Sequence, residues 1–204
     1  VIVSVPIPAT YEVCRLVANK MRRRALLVEV SSVKSGIADR LQKELKEVEF
    51  VSIHPLFGPR AEGLSGQNVV LIGGCSEKGS RCVEEYLIKH GAKVVYMSVE
   101  DHDRAMALLQ AIHHLSLLGY ALLLNQAYNE YGLDVEKLVT RSLGETLTVI
   151  ESIVENRNSV CWIYEHNPFV EEFFKAYLKA VEDIAKRGIG WALDEVGELL
   201  KRIG

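Results

Sequence analysis

The pattern of apolar and polar positions changes near residue 100. Before that point, short β-compatible runs alternate with stretches of helical periodicity. The β-compatible runs are VIVSVP, ALLVEVSS, FVSIHP, NVVLIGG and AKVVYMS, and the helical stretches cover residues 11–23, 37–48 and 77–90. Alternating strands and helices predict an α/β layer with a mostly parallel sheet. The runs at 1–5 and 25–30 are apolar except for Ser4 and Glu29, which is typical of a sheet covered on both faces.

Beyond Glu100 the β-compatible runs cease and the pattern is helical to the end of the chain. Apolar residues recur at three- and four-residue steps over 101–129, which predicts one long helix. In a later segment, Asn167 is expected to cap a helix that starts at Pro168. The predicted fold class is α/β followed by all-α, with domains at 1–100 and 101–204. The last helices offer more apolar surface than a small bundle can cover, which predicts a homodimer through the helical domain.

Composition and charge exclude several classes of protein. Of the 204 residues, 49% are hydrophobic and 25% charged, which is typical of a soluble globular chain. The balance of 24 basic and 27 acidic residues gives no electrostatic case for binding nucleic acid or an anionic membrane surface. No apolar run reaches the roughly eighteen residues that cross a bilayer, and no leader pattern is found, so we expect a cytoplasmic protein. The four cysteines form no C-x-x-C pair, so no disulfide framework or zinc knuckle is predicted.

The stretch FVSIHPLFGPR ends a predicted strand with His54 and continues into a stiff turn. The carboxyl edge of a parallel sheet is where α/β enzymes bind ligands, and a neutral imidazole is a suitable base near neutral pH. Ser32 and Lys34 follow the preceding strand and are expected at the same edge. A purely structural role remains open for each, since a histidine before proline often serves packing and Ser31 or Ser35 would equally cap a helix.

Four fragments, in this order and at these separations, resemble the prephenate dehydrogenase family: VIVSVPIPAT, VEVSSVKSGI, HPLFGP and EDHDRAMALLQAIHHL. The resemblance covers residues 1 to about 124 and continues more loosely through WIYEHNPFVEEFF. It implies a Rossmann-type NAD(P) domain, here partial, followed by a helical dimerisation domain. No G-x-G-x-x-G occurs in these 204 residues, so we expect the glycine-rich turn to lie upstream of Val1. NAD and NADP both remain open.

The resemblance also implies a reaction, the oxidative decarboxylation of prephenate or of its amino analogue arogenate. His54 is the implied catalytic base for the substrate hydroxyl. Ser32 is the implied partner that orients the imidazole, and it also contacts the cofactor. The implied substrate-binding residues are His114, Lys34 and Arg60, and the implied cofactor neighbours are Ser4, Val5, Pro6 and Thr10.

Several points stay open at this stage. His102 either caps its helix and joins the domains or contacts the substrate, and His113 is expected to point away from the cleft. No arginine stands near Glu151, where the family's carboxylate anchor falls; Arg141 and Arg157 are the nearest. Metal ligands at i, i+4 with a carboxylate are missing, so no metal is predicted.

Two other functions are kept as alternatives. The chain could be a dimerising, ligand-binding remnant without catalysis. It could also be another 6-phosphogluconate-dehydrogenase-like enzyme, although the lack of a lysine between residues 101 and 129 argues against this.

Overall fold

The computed structural model describes residues 1–58 and 61–203, with the side chain of residue 203 outside the description. The strands are β1 (Ile2–Val3), β2 (Leu26–Glu29), β3 (Glu49–Pro55), β4 (Asn68–Ile72) and β5 (Lys93–Met97). The first α-helices are α1 (Ile7–Ala18), α2 (Ala38–Glu44), α3 (Glu77–Lys89) and α4 (Val99–Met106). A π-helical segment (Ala107–Ile112) then leads into α5 (His113–Tyr131), and a 3₁₀ turn (Glu136–Leu138) precedes α6 (Arg141–Glu155), α7 (Arg157–His166), α8 (Val170–Arg187) and α9 (Ile189–Ile203).

The five strands form one sheet in the order β1-β2-β3-β4-β5. Three neighbouring pairs are parallel, and only β3 and β4 run antiparallel. The predicted fold class, a mostly parallel sheet followed by helices, is therefore confirmed. Because β1, β2 and β3 point the same way, the residues that follow them meet at one edge of the sheet.

Both faces of the sheet are covered, as the apolar strands predicted. Leu27 pairs with Phe50 and Val28 with Val51, and alternation sends the two pairs to opposite faces. The first pair packs with α1 and α2, and the second packs against α3. The first cluster also contains Ala107, Ala111, Ile163 and Val170 from the helical part of the chain. One core thus crosses residue 100, and a domain boundary there stays a prediction.

The predicted long helix is confirmed and runs from Val99 to Tyr131. Its middle turn, Ala107–Ile112, is a π-helix, which the apolar spacing did not predict. By length and composition alone this helix could cross a membrane. A search for uninterrupted apolar runs misses such a helix, because isolated histidine, serine and glutamine residues divide the run.

Two helix starts differ from the predicted ones. The first helix begins at Ile7 because the fixed backbone of Pro6 and Pro8 suits a first helical turn. Residue 168 does not open a helix, and α8 begins at Val170 instead. Asn167 ends α7, and its side-chain amide donates to the backbone oxygen of Asp103 at 2.7 Å. This bond ties the start of α8 to α4.

Candidate active site

A cleft of about 640 Å³ lies between the carboxyl edge of β2 and β3 and the helical part of the chain. Three predicted site residues, Ser32, His54 and His114, line it together. The remaining lining residues are Val30, Pro55, Leu56, Phe57, Gly58, Met106, Leu109, Gln110, Val149, Ser152, Ile153, Asn156, Ser159, Val160 and Ile163. Both halves of the chain therefore contribute walls to one site.

His54, at the end of β3, is held by a second imidazole. Its Nδ1 lies 2.9 Å from Nε2 of His102, and the other nitrogen of His102, Nδ1, lies 2.7 Å from Oδ1 of Asp103. All three side chains are buried, with exposed fractions of 4% for His54 and 0% for the other two. We expected Ser32 to orient His54, but within the described residues its hydroxyl makes no hydrogen bond to that ring. The orienting contact comes from His102, and the i to i+1 HisAsp pair in EDHD was its only signal.

Asp103 fixes this chain of side chains to the loop after β2. Its carboxylate accepts the backbone N–H of Lys34 at 3.0 Å and of Ser35 at 2.7 Å, besides the contact with His102. Burial by itself raises the pKa of Asp103, but these hydrogen bonds lower the pKa below its usual value. The carboxylate therefore stays ionised and works only as an acceptor.

The site favours a neutral His54. Burial lowers the pKa of this imidazole well below 6.5, and the neighbouring His102 and the Lys34 ammonium lower it further, while Asp103 opposes them. Burial likewise lowers the pKa of His114, helped by His113. Both cleft histidines are thus unprotonated near neutral pH, so His54 is able to accept a proton.

The structure does not place Lys34 where a substrate contact requires it. The side chain is fully buried, and its Nζ donates to Oε1 of Glu29 and to the backbone oxygen of Ile53, each at 2.7 Å. Glu29 also accepts the hydroxyls of Ser31 and Ser52. The predicted substrate contact of Lys34 is thus corrected. The physical reason is that the buried Glu29 carboxylate would be strongly destabilising without a paired cation, and Lys34 supplies that cation. The ammonium holds the loop against β3 one residue before His54.

His114 occupies the cleft wall, whereas His113 is exposed, as the helical spacing predicted. His114 Nδ1 is buried with no hydrogen-bond partner among the described residues, and the same is true of Oε1 of Gln110. Gln110 lies in the π-helical segment and was not predicted as a site residue. Its signal was a lone polar residue four positions before His114 on an otherwise apolar face. Two unsatisfied polar atoms beside His54 are groups that a polar ligand would satisfy.

The predicted cofactor neighbours divide into two groups. Ser4 and Pro6 are exposed and Val5 is half-buried just after β1, next to the loop that carries Ser32. Their contact with the cofactor stays a prediction. Thr10 differs from them, because α1 turns it into the core, where 1% of it is exposed. Its side chain is therefore not open to a cofactor.

The anchor for a substrate carboxylate is not found at the arginines that the sequence offered. Arg141 has a side chain 93% exposed and pairs with Glu145, and Arg157 is exposed at the start of α7. Neither lines the cleft, while the neutral Ser152, Asn156 and Ser159 of the same helices do. Arg60, predicted to bind substrate, lies outside the described residues. A second cavity of about 460 Å³ lies at the opposite edge of the sheet, beside Glu49 and Ser76, and contains none of the predicted residues.

A sheet with its functional side chains at the carboxyl edge, followed by helices that close the cleft, is the architecture of Rossmann-type dehydrogenases. Residues 1–96 match the family model described as "Prephenate dehydrogenase, nucleotide-binding domain". This match supports the resemblance to that family over the first 96 residues and, at the level of a nucleotide, the predicted cofactor.

Two curated proteins illustrate the relationship. The "Probable arogenate/prephenate dehydrogenase" of Methanocaldococcus jannaschii is 28% identical over 194 residues, which cover 91% of this chain and 43% of that protein. The 4-amino-4-deoxyprephenate dehydrogenase of Streptomyces pristinaespiralis is 33% identical over 132 residues, covering 65% of this chain and 44% of that protein. The chain thus spans less than half the length of these relatives.

Solved structures share the fold. The prephenate dehydrogenase of Aquifex aeolicus, in complex with hydroxyphenyl propionate and NAD⁺, superposes with a TM-score of 0.69 at 20% identity, covering 99% of this chain and 73% of that one. The Synechocystis arogenate dehydrogenase gives a TM-score of 0.62 at 18% identity, covering 98% and 75%. Nearly the whole chain therefore has the fold of these enzymes, helical half included.

Proposed function

We propose that this chain carries the catalytic cleft of an NAD(P)-dependent dehydrogenase that oxidatively decarboxylates prephenate to 4-hydroxyphenylpyruvate, with arogenate as the alternative substrate. The observation that supports it most is His54, a neutral imidazole at the carboxyl edge of the sheet, facing a cleft with Ser32 and His114. The names of the relatives include both substrates, so the choice between them rests on experiment.

His54 acts twice in the proposed reaction. Bound NAD(P)⁺ supplies the hydride acceptor for the ring carbon that bears the hydroxyl. As the hydride leaves, Nε2 of His54 takes the hydroxyl proton, and the carbon becomes a carbonyl. The ring carboxylate then departs as CO₂, and the electrons of the broken C–C bond move through the ring to that oxygen. His54 returns its proton there, which gives the phenol and restores the neutral imidazole.

Polar groups around His54 fit a substrate of this shape. The Ser32 hydroxyl lines the cleft beside the imidazole and is placed to hydrogen-bond the reacting hydroxyl. Gln110 and His114 line the same cleft, and each has a buried polar atom, Oε1 and Nδ1 respectively, without a partner among the described residues. We assign Ser4, Val5 and Pro6 to the nicotinamide side, because they follow β1 at the same edge of the sheet.

The helical half is proposed to pair with a second copy of the chain. No residue of α5 is buried, and within the described part of α8 only Val170 is. Large apolar side chains such as Leu122, at 70% exposed, and Leu193, at 65%, face solvent on these helices. Apolar surface on this scale is typical of an interface. We propose a cytoplasmic enzyme, in which the apolar helix Val99–Tyr131 is buried against a second copy of the chain rather than in a membrane.

One assay tests the reaction. The purified chain is mixed with NAD⁺ or NADP⁺ and with prephenate or arogenate, and reduced nicotinamide is followed by absorbance. Turnover with one of the four combinations supports the proposal and names the pair. His54→Asn is the negative control, and His113→Asn, an exposed histidine on the same helix as His114, is the matched variant that should keep wild-type turnover.

A second candidate, a dimerising remnant that binds ligand without catalysis, is favoured by one observation: no G-x-G-x-x-G occurs in these residues. A folded chain that produces no reduced cofactor, yet binds prephenate or arogenate in a calorimetric titration, would support the remnant and contradict the enzyme.

A further inference from the structure

Hydrogen-bond accounting determines which nitrogen of each buried histidine carries the proton. The carboxylate of Asp103 has no proton to give, so the 2.7 Å contact with Nδ1 of His102 requires a hydrogen on that nitrogen. A ring with a single hydrogen, placed on Nδ1, leaves Nε2 of His102 bare. The 2.9 Å contact between this Nε2 and Nδ1 of His54 needs one hydrogen, and only His54 is left to supply it.

The same accounting determines the remaining nitrogen of His54. A neutral imidazole has one N–H, and here Nδ1 carries it. Nε2 therefore presents a lone pair, and it is the ring atom left for the cleft that His54 lines. The other tautomer would set an N–H toward the substrate hydroxyl, where it could donate a hydrogen bond but could not take a proton.

We propose that His102 and Asp103 are positioning residues that hold His54 in its Nδ1–H tautomer, with Nε2 unprotonated toward the cleft. The proton arrangement follows from the contacts together with one hydrogen on each ring, and its consequence for turnover rests on the proposed function.

The charges around His54 set the size of the effect. From α4, Asp103 favours a proton on His54, and His102 opposes it. From the loop after β2, the Lys34 ammonium also opposes it, although its own charge is largely paired with Glu29 of β2. Glu29 is ion-paired to Lys34. When His54 takes the hydroxyl proton, the negative charge that stabilises the resulting cation is therefore that of Asp103. The stabilisation passes through the His102 ring.

Asp103 has a structural task as well, because it also accepts the N–H groups of Lys34 and Ser35. A purely structural role would keep the loop in place but would leave the proton position on His54 undetermined. The two roles thus differ in a quantity that can be measured directly.

The first test uses the unmodified chain with ¹⁵N-labelled histidine. Imidazole ¹⁵N shifts and one-bond couplings distinguish a protonated from a bare ring nitrogen. We expect His54 and His102 both to carry hydrogen on Nδ1 and none on Nε2 at neutral pH. A hydrogen on Nε2 of His54 overturns the proposal. This result does not depend on turnover, so the proposed function can fail while the tautomer assignment stands.

The second test replaces the carboxylate with an amide in Asp103→Asn. With its oxygen at the Oδ2 position, still accepting from Ser35, the new NH₂ takes the Oδ1 position, faces Nδ1 of His102 and reverses both tautomers, at the loss of the bond from the Lys34 N–H to that position. We expect the His54 hydrogen to move to Nε2 and kcat to fall about 10²- to 10⁴-fold, the range for losing a correctly presented base, with KM changed little. The acidic limb of the pH profile should also move to lower pH, because a negative charge near His54 is gone.

Asp101→Asn is the matched control. This exposed carboxylate lies two residues before Asp103 on the same helix and contacts Ser98 rather than a histidine. It should leave the His54 resonances and kcat unchanged. A folded Asp103→Asn chain with the wild-type tautomer, or with wild-type kcat and pH profile, contradicts the proposal. If Asp103→Asn does not fold, the spectrum of the unmodified chain decides by itself.

Discussion

The two halves of the molecule use apolar residues differently. In the α/β half, Leu27, Leu41 and Val51 are completely buried, and the buried Lys34 and Glu29 form an ion pair. In the helical half, α5 buries no residue, and its apolar side chains face outward. The first half is a finished core that holds a histidine at a defined place. The second has the surface of an interface, and its residues between Met106 and Ile163 also form a wall of the cleft.

The largest effect is expected at the site of the first half. His54→Asn should lower kcat by about two to four orders of magnitude while fold and cofactor binding persist, because a single positioned base is removed. Steady-state kinetics and nucleotide binding by calorimetry check both parts. His113→Asn should have no such effect. A kcat within a few-fold of wild type for His54→Asn would mean that another group accepts the proton.

The next effect concerns the buried ion pair that supports this site. Lys34→Met leaves the Glu29 carboxylate buried without its cation, which should cost about 3–5 kcal/mol of unfolding free energy. Chemical denaturation measures it. Lys179→Met is the matched change in the helical half, where the ammonium is exposed and 3.6 Å from Asp183, and its unfolding midpoint should not move. Equal losses in the two variants would contradict the contrast between the halves.

Substitutions on the exposed apolar face of the helical half should weaken the homodimer rather than destabilise the fold. Leu122→Glu places a charge on the exposed face of α5 and should weaken a homodimer at least tenfold, about 1.4 kcal/mol, with little change in the fold. Sedimentation velocity over a concentration series measures the dissociation constant. Leu16→Glu, at a leucine of α1 that is 62% exposed, is the control. A monomeric wild-type chain would contradict the homodimer, and a dimer weakened only by Leu16→Glu would place the interface elsewhere.

The smallest effect is the dependence of stability on pH. In the folded chain the pKa values of His54 and His114 are lowered, whereas in the unfolded chain both stay near 6.5. The unfolded state therefore binds more protons below pH 6.5. Stability should be full above that pH and decline as the pH falls through it, by at most about 1.4 kcal/mol per pH unit for each histidine.

Denaturation series between pH 5 and 8 measure this slope. His54→Gln should remove part of it, and His90→Gln, a change at an exposed histidine of the first half, should not. A wild-type chain with no slope in this range would show that neither buried histidine is kept neutral by the fold.

Local chemistry was sufficient to predict much of the site. His54 and Ser32 follow strands, and the strand direction alone brings them to one edge of a parallel sheet. Neighbours on a helix point about 100° apart, so only one of His113 and His114 was expected at the cleft, and the resemblance indicated His114. Three other positions could not be predicted in this way, because each depends on tertiary contacts. Lys34 is held by the buried Glu29, Thr10 is turned into the core, and His102 contacts the His54 ring.

The sequence by itself determined the two halves and the strand ends, since these follow from periodicity and local backbone preference, and its resemblance to a family indicated the residues at the cleft. Only the tertiary structure decided which polar groups meet. The hydrogen bond between His54 and His102 joins residues 48 positions apart, and nothing in either segment specifies its partner until the core has packed. The proton position on the catalytic candidate is therefore a property of the fold rather than of the HPLFGP motif.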